Sequence, residues 1–444
     1  MSGIAGIAQP GMKNTVKRML NKMAYRGSNV EVIETASATL GVVWPQYQSG
    51  ASKQLQRSQI AWDNAGEGHF AIVQGNDLML KRDPLGAAPL NFGWAKNGVL
   101  CFASEVKALL EITHDVHELP PGHSFDGQRM KSYFKLGKLP MLENPPDKIA
   151  GELRLRLETA VEKRTSAGDA GAWLSGGLDS SALAALARPH RQTFHTFAAG
   201  LPNAPDIEYA RIVAEFIQSK HHEVIVQIED LIAVLPDVIY HLESFDAWLV
   251  RSSIMNYLVA QLAAEYVPAV FSGEGGDELF AGYDYLKTLD PDDLTDELID
   301  ITSRLHNTAL QRVDRCASAH GTVAHVCFLD PDVVDYSMRI PTKFKLHNGV
   351  EKWILRQAVA DSLPDVVVRR PKAKFWQGAG VEELLAQHAD GRISDADFSQ
   401  ERYLPNGWRL NTKEELLYYN IFREHFGTFD DLNWMGRTKG SPIN

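Results

Sequence analysis

Ala172-Trp173-Leu174-Ser175-Gly176-Gly177-Leu178-Asp179-Ser180-Ser181 runs from an apolar strand through two glycines into a helix that continues Ala182-Leu183-Ala184-Ala185-Leu186. Glycines let a backbone approach a ligand closely, and a helix start offers unpaired N–H groups and positive dipole to an anion. A turn of this kind at the carboxyl end of a parallel strand is where α/β sheets bind nucleotides. No Lys follows the glycines, so the segment is not a Walker A loop. Around it, apolar periodicity predicts helices over 149–164, 207–218 and 252–265, alternating with strands over 170–174, 193–199, 222–226 and 267–272. That alternation predicts βαβ units and a parallel sheet.

Further on, the strand over 267–272 opens into Ser272-Gly273-Glu274-Gly275-Gly276-Asp277-Glu278-Leu279. Again a strand enters glycines and then a helix, now with three carboxylates. Asp residues at two strand ends can converge on Mg²⁺, which a triphosphate needs for charge neutralisation. Glu274 would face the same cleft as a base.

Upstream, short apolar runs such as Ala38-Thr39-Leu40-Gly41-Val42-Val43, His69-Phe70-Ala71-Ile72-Val73 and Gly98-Val99-Leu100-Cys101-Phe102 are separated by turn residues, as at Gln74-Gly75-Asn76-Asp77. Strands therefore dominate the first ~135 residues, with helices over 14–23 and 104–110. The stretch 137–147 carries three prolines and reads as a linker.

The 444 residues suffice for two domains, and 44% hydrophobic with 23% charged residues is a soluble globular profile. A net charge of −11 argues against bulk attraction to nucleic acid or anionic membrane. Cys101, Cys316 and Cys327 lie far apart, giving no disulfide framework and no C-x-x-C pair. No uncharged apolar stretch is long enough to span a bilayer, and the start MSGIAGIAQPGMKN lacks the pattern of a secretory signal, so a cytoplasmic protein is expected. His221, His222, His320 and His325 lack a ligand-set motif and are read as surface or core histidines. The acidic run 290–297 is read as a helix start.

The two glycine segments resemble those of the asparagine synthetase family and its relatives, the β-lactam synthetases and lasso-peptide cyclases; the first looks like that family's pyrophosphate loop, S-G-G-x-D-S. Arg82-Asp83-Pro84-Leu85-Gly86, Ala103-Ser104-Glu105-Val106-Lys107-Ala108-Leu109 and Leu119-Pro120-Pro121-Gly122 resemble the end of the family's N-terminal glutaminase-type domain. Phe328-Leu329-Asp330, Glu351-Lys352-Trp353-Ile354-Leu355-Arg356 and Arg370-Pro371-Lys372-Ala373-Lys374-Phe375 follow the asparagine synthetase order. The resemblance implies an α/β chain: a shortened Ntn-type αββα sandwich at 1–136, a linker at 137–147, and a pyrophosphate-loop synthetase domain with a parallel sheet and extra helices at 148–444.

It also implies a chemistry. A carboxylate attacks the α-phosphate of ATP, pyrophosphate leaves, and an amine displaces AMP to form an amide. By resemblance, Asp179 and Asp277 would hold Mg²⁺. Ser175, Gly176, Gly177, Asp179, Ser180 and Ser181 would cradle the pyrophosphate, and Leu174, Ala199, Ser272 and Gly273 would line the adenosine site. Glu274 would deprotonate the amine and Lys372 would stabilise phosphate charge. Glu243, Trp248, Leu249 and Arg251 would shape the substrate site.

Three departures modify that expectation. Glutamine-using relatives carry Cys after the initiator Met, where this chain has Ser2; Arg26-Gly27-Ser28-Asn29 only partly echoes their R-G-P-D, and no N-G-E segment follows. The N-terminal domain is therefore expected to lack glutaminase activity. Trp248-Leu249 replaces two adjacent threonines, and Val323 and His325 replace a Glu and an Arg. The expected function is thus an ATP-dependent, AMP-forming amide ligase joining a small carboxylic acid to ammonia or another amine. Ammonia-dependent asparagine synthesis and intramolecular closure are its alternatives. Partners are those small molecules, a second copy of the chain, or an external ammonia source; no nucleic acid or membrane is expected. A tRNA-modifying enzyme fits the acidic charge poorly, and a non-catalytic scaffold would have lost Asp179, Glu274, Asp277 or Lys372.

Overall fold

A computed structural model describes residues 2–45, 60–63, 71–74, 78–165, 170–372 and 382–439. The N-terminal part forms strands β1 (Gly3–Ile7), β2 (Asn29–Glu34), β3 (Thr39–Trp44), β4 (Ile60–Asp63), β5 (Ala71–Gln74) and β6 (Met79–Arg82). These are followed by β7 (Asn91–Trp94), β8 (Leu100–Ala103), β9 (His117–Glu118), β10 (His123–Phe125) and β11 (Met130–Ser132). They make two antiparallel sheets, ordered β2-β3-β1-β8-β7-β9 and β11-β10-β6-β5-β4. His69, Phe70 and Gly75 to Asp77, part of the predicted strand and turn signals, lie outside the described residues.

Side chains alternate along these strands with period two, and the alternation builds two cores. Ile4, Leu40, Val42, Leu100 and Phe102 face Leu80 and Phe125 of the second sheet. Ala5, Ile7, Val43, Cys101 and Ala103 turn the other way, onto Val16, Met19 and Leu20 of the helix Lys13–Asn21 and on into the C-terminal core. The helix expected over 104–110 is one turn, Val106–Leu109. The helix Lys13–Asn21 thus forms a layer on the first sheet.

The C-terminal part holds a parallel sheet of β12 (Ala170–Trp173), β13 (His195–Gly200), β14 (Lys220–Ile225), β15 (Ala269–Phe271) and β16 (Val323–His325), ordered β14-β13-β12-β15-β16. Helices Pro146–Thr165, Leu178–Ala187, Pro205–Phe216 and Ala247–Ala264 stand where sequence placed their counterparts. Two of them open on Pro, which fits the first helical turn because its missing N–H has no partner to lose. The chain fills the sheet outward from β12 to β14, then reverses to β15 and β16. The switch falls between β12 and β15, whose Ala170 and Ala269 are paired; ligands of open α/β sheets bind at such a reversal.

The linker stretch is irregular up to the helix start at Pro146, yet it is packed. Leu136, Leu139 and Leu142 rest on the core, and the Leu142 N–H donates to Arg339 O at 2.8 Å. Asp290 caps the helix Pro291–Ser303 by accepting from the Asp292 and Asp293 N–H groups, as the acidic run suggested. Among the described residues no helix is long and apolar enough to cross a membrane.

A buried ionic cluster joins the two parts. The Arg26 guanidinium forks onto Asp314 at 3.1 and 2.6 Å and also pairs with Glu105. Arg315 pairs with Glu105 at 3.0 Å and with Glu243 at 3.1 Å. Glu243, in the left-handed region at φ 58°, accepts the Val106 and Lys107 N–H groups at 3.0 and 2.7 Å. Its role is thus to tie the C-terminal part to the N-terminal one. Removing one member of a buried charge network leaves its partners unpaired, at a cost of about 3–5 kcal/mol. Glu243→Ala should lose about that much stability in urea unfolding; a loss below ~1 kcal/mol, the range of exposed pairs, would contradict the cluster's role.

Candidate active site

Both glycine loops leave the sheet at the carboxyl ends of β12 and β15 and open into one cavity of about 850 Å³. The first loop is prefolded by its own serines. The Ser175 N–H donates to Ser180 Oγ at 3.2 Å, the two hydroxyls lie 3.0 Å apart, and Ser180 Oγ donates to Gly177 O at 3.2 Å. Gly176 sits at φ +67°, and a Cβ there would fall 2.5 Å from the Ala210 nitrogen, so the tight turn admits no larger residue. In the second loop a Cβ on Gly276 would meet the Asp179 carboxylate at 2.5–2.9 Å. The loops interlock through that missing side chain.

Most of the predicted residues line the cavity: Leu174, Ser175, Asp179, Ser180, Ala199, Trp248, Leu249, Ser272, Gly273, Glu274, Asp277 and Lys372. Gly176 and Gly177 form the turn behind it, and Ser181 is fully buried. Glu243 and Arg251 are turned elsewhere. Glu243 serves the ionic cluster, and Arg251 is buried against Glu414, whose carboxylate also accepts from Tyr418 at 2.6 Å. Both were expected at the substrate site because spacing from a motif was carried over; a buried charge instead goes to the nearest opposite charge. Val323 and His325 are buried in the edge strand β16, with the His325 carbonyl accepting from the Ser272 N–H at 2.9 Å. Ala373, Lys374 and Phe375 lie outside the described residues.

The centre of the site is a charge cluster that sequence reading left incomplete. Lys372 Nζ donates to Asp277 Oδ2 at 2.5 Å. A second ammonium, Lys352, lies 2.5 Å from Asp277 Oδ1 and pairs also with Asp179. Lys352 is buried and adopts φ 56°, a conformation that costs a non-glycine residue about 1–3 kcal/mol and collects at functional sites. Nothing in the Glu351-Lys352-Trp353 run distinguishes this lysine from a surface one. Neighbouring Glu351 fixes the partner cation by accepting the Lys372 N–H at 3.1 Å and Arg356 Nη2 at 2.6 Å.

Burial raises the cost of every charge here, and the pairing decides which survive. For Asp277 burial is outweighed by Lys352 and Lys372, which hold its carboxyl well below the usual range. Asp179 goes the other way: burial, with the nearby Asp277 charge, lifts its carboxyl despite Lys352. Burial and the Asp277 charge push Glu278 up to about 7, while the Tyr283 hydroxyl donates to it. Glu274 pairs with Arg312, a cation from the first turn of the helix Ala309–Ala319 that no motif signalled. Arg370 lies 3.9 Å over the Tyr209 ring and pairs with Asp206 beside the first loop.

The donor set fits a divalent cation. Asp179 Oδ1 is buried without a hydrogen-bond partner among the described residues, and the carboxylates of Asp179 and Asp277 converge on one point of positive charge. Two carboxylates completed by phosphate oxygens and water are the usual Mg²⁺ environment. Among the described residues no group of three or more His, Cys, Asp or Glu could hold a metal ion, so the protein's share at this centre would be the two carboxylates alone, and the three cysteines are buried thiols. Lys352→Met should therefore lose about 3–5 kcal/mol of stability in urea unfolding without Mg²⁺, and excess Mg²⁺ should restore part of that loss. Equal stability of the variant and the parent would contradict the bridge.

The comparisons with known proteins agree with this geometry. The asparagine synthase family profile matches residues 152–293 and 287–439, and the glutamine amidotransferase domain profile matches residues 53–111. A probable glutamine-hydrolysing asparagine synthetase of Dictyostelium discoideum is 33% identical, across 80% of this chain and 72% of its own. Asparagine synthetase B of Escherichia coli K12, also named glutamine-hydrolysing, is 34% identical across 81% and 70%. The glutamine-hydrolysing asparagine synthetase of Gallus gallus is 33% identical across 81% and 73%. With a family profile spanning most of the chain and the two glycine loops at the switch point, this chain belongs to the asparagine synthetase family of ATP-dependent carbon–nitrogen ligases.

Proposed function

We propose that the protein activates a small-molecule carboxylate with Mg-ATP, releasing pyrophosphate, and passes the acyl group to ammonia or another amine without a glutaminase of its own. The observation that carries this reading is the convergence of Asp179, Asp277, Lys352 and Lys372 at the mouths of both glycine loops. When bound, Mg²⁺ would neutralise triphosphate charge, with Asp179 and Asp277 as its protein ligands.

The chain's own groups would divide the remaining work. The backbone of the Ser175–Ser180 turn and the start of the helix Leu178–Ala187 face the leaving pyrophosphate. Lys372, kept a cation by Asp277 and Asp179 against the cost of its burial, would stabilise charge developing on the α-phosphate. Leu174, Ala199, Ser272 and Gly273 would seat the adenosine. Glu274, held by Arg312, would take the proton from the incoming amine. Trp248 and Leu249 would shape the acid-binding region. Residues 1–136 would act as a structural partner to 148–444 across the linker 137–147.

The relatives are named for glutamine hydrolysis, so the nitrogen source separates this reading from theirs. Ser2 in place of Cys and the commitment of Arg26 to Glu105 and Asp314 support a structural N-terminal part. Ammonia-dependent asparagine synthesis is a second reading; the order of the Glu351–Arg356 and Arg370–Phe375 segments supports amidation between two molecules over intramolecular closure. The test is pyrophosphate release from Mg-ATP with a panel of carboxylic acids and ammonium, glutamine or no nitrogen source. Ammonium-dependent turnover is expected, with glutamine supporting less than about 1% of it, since a missing nucleophile typically costs a factor of 10⁴ or more. Equal rates with glutamine and ammonium would refute the structural N-terminal part.

A further inference from the structure

The cavity continues past the phosphate loops into a region whose chemistry differs from that of the charged centre. Its walls there are the start of the helix Ala247–Ala264 and the segment running from the helix Pro291–Ser303 into the helix Ala309–Ala319. Trp248, Leu249, Ile301, Leu305 and Ala309 line it, and the ring of Tyr285 stands at it half exposed. Asp246 fixes the helix start by accepting the Leu249 N–H at 2.9 Å, and Thr438 ties the C-terminal segment to the same carboxylate at 2.7 Å. The apolar wall is therefore held in place by the fold.

The cations of this region already carry carboxylates of the chain. Arg304 pairs with Asp300 at 3.0 Å, Lys439 with both Glu297 and Asp300 at 2.7 Å, and Arg312 with Glu274. The Tyr285 hydroxyl donates to Glu297 at 2.7 Å. A ligand that brought a second carboxylate and an ammonium group would have to break these pairs or leave its own charges unpaired against apolar walls. A ligand with an apolar body would bury it against Trp248, Leu249 and Leu305 and need only its reacting carboxylate at the phosphate end. At about 850 Å³ the cavity stands near the upper end of the roughly 300–1,000 Å³ range of ligand pockets, which suits a nucleotide and a second molecule side by side.

Resting on the ligase reading above, we infer that the acid this protein activates is a monocarboxylate with an apolar or aromatic body, not a dicarboxylic amino acid. Its carboxylate oxygen bonds to the α-phosphorus, the bond from that phosphorus to the bridging oxygen breaks, and pyrophosphate leaves with the electron pair. The reverse of that step exchanges labelled pyrophosphate into ATP and needs no amine.

The experiment measures ATP–pyrophosphate exchange with 3-phenylpropanoate, hexanoate and L-aspartate, beside calorimetric binding of Mg-ATP. Exchange with 3-phenylpropanoate is expected at a kcat/KM at least ~10-fold above that with L-aspartate. Trp248→Ala, at a half-exposed position, should lower the 3-phenylpropanoate value about 10-fold and leave the Mg-ATP Kd within about 2-fold. A preference for L-aspartate, or an unchanged preference in Trp248→Ala, overturns the inference. Mg-ATP binding without exchange on any of the three acids also overturns it and leaves the nucleotide site standing. Failure to bind Mg-ATP refutes the ligase reading itself.

Discussion

Everything at the candidate site follows from two strands lying side by side. β12 and β15 are sequence-distant but paired in the sheet, so each delivers a glycine loop and an aspartate to the same point. Two buried carboxylates so placed repel each other, and the fold answers with Lys352, held in the left-handed region, and Lys372, positioned by Glu351. The interaction is mutual. The lysines keep Asp277 ionised against its burial, and the aspartates keep Lys372 charged. A centre of this kind is ready for a triphosphate and its cation, because the compensating charges are in place before either arrives.

A second balanced cluster does a different job. Arg26, Lys107 and Arg315 face Glu105, Glu243 and Asp314 in the interface between the N-terminal sheets and the C-terminal helices. Its members touch no part of the nucleotide cavity. The two clusters separate the labour of the molecule: one fastens the parts together, and the other gathers the groups that would meet the substrate. Glu243 belongs wholly to the first.

The regular elements were legible because the signals were local. Strand-glycine-helix at 172–181 and 271–279 foretold the paired loops, and the short apolar runs at 38–43 and 98–102 foretold the strands Thr39–Trp44 and Leu100–Ala103. Boundaries shifted by a few residues where the helix Ala247–Ala264 begins before its apolar run, at the Asp246 cap. The site was legible where a motif carried it, as for Asp179, Glu274 and Asp277. It was opaque where long-range pairing decides: Lys352 and Arg312 reach their carboxylates only through tertiary structure, while Arg251 finds Glu414 near the other end of the chain.

The central claim is that the two glycine loops form one site for Mg-ATP. A non-hydrolysable α,β-methylene ATP analogue, titrated calorimetrically with Mg²⁺ into the parent, Asp179→Asn, Asp277→Asn and the double variant, tests it directly. Each single change should weaken binding, and the double change should depart from the sum of the two by more than about 0.5 kcal/mol, the coupling expected of groups that share a ligand. Strictly additive losses, or binding unaffected by either change, would mean that the loops do not meet on one ligand.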